Sequence, residues 1–433
     1  MIKKPAATHK AIRQWMADHE KQLLSMLQQM IQEPSVQMNE SGIQHKTVRW
    51  LEELDFTVEM WEPGGEELFN HHAFLSRREH FKGSPNVVGV RKGEGKGKSI
   101  LLNGHIDVVP EGNLSDWAED PYAGLVKDGK IYGRGATDMK GGNAAMLFAL
   151  QAISSLKIPI KGDVIFHSVI EEESGGAGTL AAILRGYTAD AALIPEPTNM
   201  KIFPKQQGSM WFRLKVKGKS AHGGTSYEGI NAILKAQKVI QALESLEKVR
   251  NDRVTDPLFA KAPIPLPINV GVIEGGEWPS SVPDLVKIEG RVGISPEETV
   301  QEAQEEFTRA IRAMEGEDKW FKDHPVEIEW FGARWLPGSI DVNHPFMEIL
   351  TEQYKGITGK SPEVEAAPWG TDGGIITAVG STPSVVFGPG ITRMAHQANE
   401  YIEIEKVRQC AEVIASTIIE WCNVEERKGR SHT

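Results

Sequence analysis

Two stretches of the chain, SILLN at 99–103 and DVIFHSVI at 163–170, are apolar at nearly every position instead of at every second one. A strand that is apolar on both faces must be covered on both, so a sheet built from such runs is largely sandwiched by helices. Shorter runs of the same kind recur in NVVGVR, AALIPE and PSVVFGPG, and segments of helical periodicity such as GGNAAMLFALQAISSL separate them. The alternation predicts an α/β domain. At the N-terminus, Ile12, Trp15, Met16, His19, Leu23, Leu24, Leu27, Met30 and Ile31 fall on one helical face, with Pro34 as its stop. A second helix is expected over Ile43–Leu54. Residues 64–84 read as a polar insertion to which the pattern assigns no element.

From Gln207 to Trp335 the pattern changes. SMWFRLKVKG alternates, with Met210, Phe212, Leu214 and Val216 on one face, as a half-buried strand does. A helix over GINAILKAQKVIQALESL follows, then the strands PINVGVI and DLVKIEGRVGI. Ser295, Pro296 and Glu298 suggest a capping box opening a second helix, and PVEIEWF closes the series as a strand. The order β-α-β-β-α-β is ferredoxin-like. The expected division is therefore a catalytic domain of residues 1–206 and 336–433, with an α+β domain of residues 207–335 inserted into it.

Composition narrows the function. The formal charge of −11 argues against nucleic acid, which requires a basic surface. No run of about 18 apolar residues occurs and MIKKPAATHK lacks an apolar core, so a soluble cytoplasmic protein without a membrane partner is expected. Cys410 and Cys422 lie on one helical stretch, about 18 Å apart at helical rise, too far for a disulfide. They read as buried small hydrophobes.

The ionisable residues that follow apolar runs carry the chemistry. His105 and Asp107 emerge just past SILLNG, although an H-x-D pair alone fits an ordinary surface pair better. Asp138 lies in GRGATDMKGG, Glu172 and Glu173 in EEESGG, Glu196 in IPEPT and His396 in AHQANE. Strand ends of this kind are where α/β sheets place their sites, and burying so many such groups without partners would be costly. Two imidazoles and several carboxylates form an N/O donor set suited to zinc or a similar first-row ion.

The motifs HIDVVP, GRGATDMKGG, EEESGG, EPT, SAHGG, GTDGG and AHQANE, in this order from about residue 85 to 405, resemble those of the co-catalytic zinc amidohydrolases and peptidases. That family includes acetylornithine deacetylase, succinyl-diaminopimelate desuccinylase, aminoacylase and carboxypeptidase G. The resemblance implies a metallopeptidase domain with an inserted lid or dimerisation domain, and two divalent ions, zinc or alternatively cobalt. It makes Asp138 the bridging ligand, with His105 and Glu196 on one ion and Glu173 and His396 on the other. Asp107 becomes the residue that orients His105, and Glu172 the general base, with Glu171 one position away as the alternative register.

By the same resemblance, His222 in SAHGG is a lid histidine that reaches the active site of a partner subunit in a homodimer and stabilises the oxyanion. Arg291, Ser281, Asp372 and Gly373 are candidate substrate contacts. Two departures stand out: Ser281 occupies a position where relatives carry Asn, and GTDGG lacks the Arg that several relatives have after its acidic residue. A group able to hold a substrate carboxylate is thus missing there. Trp278 and Trp369 lie beside motif loops as pocket-wall candidates, while His71, His72 and His80 of the insertion are read as ordinary surface residues. The implied reaction is removal of a small acyl group from an N-acyl amino acid or related metabolite. A dipeptidase or carboxypeptidase using the same site is the alternative.

Overall fold

Burial on both faces places the apolar runs at the centre of a mixed sheet. In the computed structural model, which describes residues 5–76 and 78–424, the strands run in the order Thr57–Trp61, Asn86–Arg91, Val164–Val169, Ile100–His105, Ala191–Ile194, Ser384–Val386, Ile202–Gln206 and Gly338–Ser339. Ile100–His105 is parallel to Val164–Val169 on one side and to Ala191–Ile194 on the other, and all three strands are buried throughout. Their C-terminal ends therefore open on one edge, where His105, Glu172, Glu173 and Glu196 follow.

Helices Gly141–Ser155 and Ile404–Cys422 pack against each other and are buried along most of their length. A Cβ at Gly142 would lie 2.1 Å from the carbonyl oxygen of Pro195, so glycine lets this helix start press against the turn that carries Glu196. The N-terminal periodicity yields two helices, Pro5–Asp18 and Glu20–Ile31, instead of one. The break falls at His19, whose ring stacks on Trp15 and places Nδ1 2.7 Å from the Trp15 carbonyl oxygen, offering that carbonyl a partner besides the helix ladder. Cys410 and Cys422 are free and fully buried, and burial pushes both thiols up. No described helix is long and apolar enough to cross a membrane.

The chain divides into two compact units. One holds the residues up to Lys205 with Gly338–Glu365 and those from Thr371 onward, and the other holds Gln206–Pro337 with Ala366–Gly370. In the second unit, an antiparallel sheet has the order Ile268–Gly275, Leu285–Ile294, Gly208–Lys217, Glu327–Trp335, crossed by helices Ala232–Asp252 and Val300–Gly316. Connectivity and strand order are ferredoxin-like. Phe212, Leu214, Ile288, Val292 and Phe307 form its core, and Arg213 on the opposite face of the sheet pairs with Glu289 and Glu329. The capping box lies one turn later than Ser295–Glu298: Thr299 and Glu302 close it reciprocally, while Glu298 accepts the Ser295 N–H in the preceding turn.

Candidate active site

The sheet edge gathers the predicted ligands of the first unit. His105 Nε2 lies 3.2 Å from Asp138 Oδ1 and 3.6 Å from Glu196 Oε1. On the other side of Asp138, His396 Nε2 is 3.3 Å from Oδ2 and 3.1 Å from Glu173 Oε2. Asp138 thus has one oxygen toward each imidazole, the geometry required of a bridging carboxylate. The ligand atoms of His105, Asp138 and Glu173 lie within 4.8 Å of one another, as do those of His105, Glu172 and Glu196. His396 is held at a φ of 64°, in the left-handed region that residues with a Cβ occupy at a cost, as functional residues often do.

Crowding perturbs both imidazoles, Asp138 and Glu196. Burial opposes the charged form of His105, but Glu196 and Asp138 outweigh it and hold the ring well above the usual histidine range. Hydrogen bonding to Asp138 and Glu173 raises His396 to about 11. Burial, only partly offset by His105, pushes Glu196 up to about 8. Burial alone would raise Asp138 too, yet its bonds to both imidazoles hold it below the ordinary carboxylate range. So many acids around two imidazoles are the complement of cationic charge, and the N/O donors fit divalent first-row ions.

Glu171, Glu172 and Glu173 separate cleanly. Glu171 turns away, its carboxylate accepting bonds from Ser76 and Arg78. Glu172 faces the cluster, where burial drives its carboxyl well above the usual range despite His105 and with the help of Glu196 and Asp372. Asp107 does something the sequence did not suggest. His105 Nδ1 lies 2.9 Å from the backbone oxygen of Asp107, and the carboxylate of Asp107 accepts the N–H groups of Glu172 at 3.3 Å and Glu173 at 3.1 Å. The Asp107 main chain thus contacts the imidazole, its carboxylate Oδ1 also lies 3.6 Å from Nδ1, and the same carboxylate holds the acidic loop.

Glu400 escaped the sequence reading, although it ends the AHQANE motif. Fully buried, it accepts the N–H groups of Gly135 at 3.0 Å, Thr137 at 2.8 Å and Asp138 at 3.2 Å, and Arg134 donates to it at 2.7 Å. One carboxylate thus ties the Asp138 loop to the segment that carries His396. Asn143 adds a bond of 2.6 Å to the His105 carbonyl. Glu400→Gln leaves Arg134 buried without its anion, and is expected to cost about 3–5 kcal/mol of stability. Urea denaturation against the wild type measures this.

Asp372 and Gly373 are both buried. Asp372 Oδ2 accepts from Thr179 at 2.7 Å and Asn103 at 3.3 Å, and Gly373 opens the helix Gly373–Ala378. Thr179 and Asn103 thus occupy Oδ2 of Asp372, while its Oδ1 has no hydrogen-bond partner. In the second unit, His222 and Ser281 are direct cross-strand partners and both are exposed. Arg291 pairs in register with Asn269 and Trp211, and its buried Nε has no hydrogen-bond partner. Trp278 is 69% exposed near Ser281, which donates its N–H to the Trp278 carbonyl.

Imidazoles and carboxylates gathered past the ends of parallel strands define a metallohydrolase. The pattern of Peptidase family M20/M25/M40 matches residues 101–420, and the chain belongs to that family. It is 30% identical over 430 residues to N-formyl-4-amino-5-aminomethyl-2-methylpyrimidine deformylase of Bacillus subtilis, covering 94% of this chain and 96% of the relative. It is 26% identical over 426 residues to acetylornithine deacetylase of Proteus mirabilis, covering 94% and 98%. Among solved structures, a tripeptidase from Staphylococcus aureus shares the fold with a TM-score of 0.72 at 24% identity, covering 94% and 99%. The chain is a metal-dependent hydrolase of amide bonds.

Proposed function

We propose that this enzyme removes a formyl, acetyl or similarly small acyl group from the nitrogen of a compact amine or amino acid. The observation that carries the reading is the placement of Glu172, which shares a buried space with His105 and Glu196 while Glu171 is tied elsewhere. His105 and Glu196 would hold one divalent ion, Glu173 and His396 another, and Asp138 both; zinc suits these donors best, with cobalt as the alternative. When bound, such ions polarise an amide carbonyl and acidify water. Glu172 takes the proton of the attacking water and passes it to the leaving nitrogen. Asp107 holds Glu172 and Glu173 in register through their backbone N–H groups. A cytoplasmic setting accords with the two free thiols.

A hydrolysis screen of the metal-loaded protein over N-formyl, N-acetyl, N-succinyl and dipeptide substrates tests the assignment. Release of formate or acetate supports it, whereas cleavage of peptides alone would replace it. Metal uptake carries its own signature. At pH 7 the metal-free protein keeps protons on Glu196, at about 8, on His396, at about 11, and on His105, held well above the usual histidine range, and all three must lose them to coordinate. Affinity is therefore expected to rise with pH, Glu196 ceasing to contribute above about 8 and His396 continuing to about 11. Calorimetric titration in two buffers of different protonation enthalpy reads the released protons, and identical heats in both would contradict it.

In the second unit, we assign His222 to the oxyanion of a partner subunit's substrate, with Ser281 and Arg291 as substrate contacts. Support for a homodimer comes from Ile268–Gly275, an edge strand with Val272 and Ile273 exposed, and from exposed Ile233 and Leu234 on the helix Ala232–Asp252. Mixing His222→Ala chains with Glu172→Gln chains is expected to restore one working site per mixed dimer. No recovery after verified subunit exchange would confine His222 to its own chain.

A further inference from the structure

The segment 64–84, to which the sequence pattern assigns nothing, is built around three aromatic rings. Phe69 lies 5.2 Å from Phe74 and 6.3 Å from Phe81, centroid to centroid. The guanidinium of Arg78 sits over the Phe81 ring at 4.8 Å, and from there it reaches out of the segment. Nη2 donates to Ser84 at 2.8 Å, and Nη1 donates to Glu171 Oε1 at 3.1 Å and lies 3.6 Å from buried Glu40. Ser76 donates to Oε2 of the same Glu171 carboxylate at 2.9 Å, and Ser174 does so at 3.0 Å.

What these bonds hold is an unfavourable piece of backbone. Glu171 has φ 67° and ψ 18°, a left-handed conformation that a residue with a Cβ keeps only when its surroundings impose it. Its side chain is almost completely buried, and its carbonyl oxygen accepts the Gly176 N–H at 2.7 Å. The chain direction set at Glu171 decides where the next two residues point, and these are Glu172 and Glu173.

We propose that Arg78 is a positioning residue: by pairing with Glu171 it fixes the loop that carries Glu172 and Glu173, so the segment 64–84 sets the metal-site geometry from outside the site. The proposal rests on Glu173 being a ligand. It has an asymmetric consequence, because Glu173 serves the ion shared with His396 and not the one held by His105 and Glu196. Loss of the brace weakens one ion and spares the other, which general destabilisation would not do.

The test is a cobalt titration of the metal-free full chain, followed by visible absorption, for the wild type, Arg78→Met, Glu171→Gln and the double variant. Each single variant is expected to lose about tenfold or more in one of two cobalt affinities, the range seen when a residue supporting a ligand is removed. The other affinity stays unchanged, and the double variant is no weaker than the singles because the two groups act as one pair. Unchanged affinities, or equal losses at both ions, overturn the proposal. Should Arg78→Met fail to fold, Arg78→Lys and Glu171→Gln are judged by the same criteria. A wild type that takes up fewer than two cobalt ions overturns the two-ion reading and this proposal with it. A negative hydrolysis screen leaves the titration untouched, so the two fail separately.

Discussion

Glu172→Gln is expected to keep two divalent ions per chain while kcat falls roughly 100-fold or more, since the substitution preserves size but removes the proton acceptor. Metal analysis and steady-state kinetics on one preparation separate the two effects. Glu171→Gln is the informative companion. With its carboxylate tied to Ser76 and Arg78, it has no path to a substrate proton, so at saturating metal its loss of kcat is expected to be smaller by at least about tenfold. The reverse ranking would show that the base had been assigned one residue too late.

Asp138→Asn is expected to empty both metal positions, because each Asp138 oxygen faces a different imidazole, His105 at 3.2 Å and His396 at 3.3 Å. An amide offers one weak acceptor and one donor in place of two anionic oxygens. Glu196→Gln and Glu173→Gln, by contrast, should each impair one position. After mild dialysis, Asp138→Asn is expected to retain less than about one ion per chain and to show no turnover above background. An Asp138→Asn protein that kept one ion as firmly as the wild type would rule out the bridge.

Much of this was legible in the sequence because it depends on local pattern. Ile100–Leu102 and Val164–Phe166 put consecutive apolar side chains on both faces, and that pattern announces strands in the middle of a covered sheet. The ligand candidates follow such strands directly, so the motif order placed them before any geometry was available. What stayed hidden depends on contacts between distant segments. The break at His19 coincides with a ring stacked on Trp15, which helical periodicity cannot register. That one oxygen of the Asp372 carboxylate is held by Thr179 and Asn103, nearly 200 and 270 positions away, is likewise invisible in its glycine-rich loop. Arg78 and Glu171 are 93 positions apart, and nothing in either local sequence marks them as partners. Glu400 was overlooked for a different reason: three of its four donors are backbone N–H groups, which have no residue identity to read, and the fourth, Arg134, lies 266 positions away.

The bonds from Glu400 to Gly135, Thr137 and Asp138 span more than 260 positions of chain. The strand Tyr401–Glu403, which completes the small sheet beside Lys130–Tyr132, comes from the same late segment as His396 and Glu400. Translation proceeds at about 5–20 residues per second, so on the ribosome His105, Asp138, Glu173 and Glu196 are exposed for tens of seconds before that segment exists. During that interval the Asp138 loop lacks its carboxylate clamp and one imidazole. The paired site proposed above therefore waits on the late segment that carries His396 and Glu400. A nascent chain arrested before residue 396 would have no means of selecting a pair of ions over a single stray one.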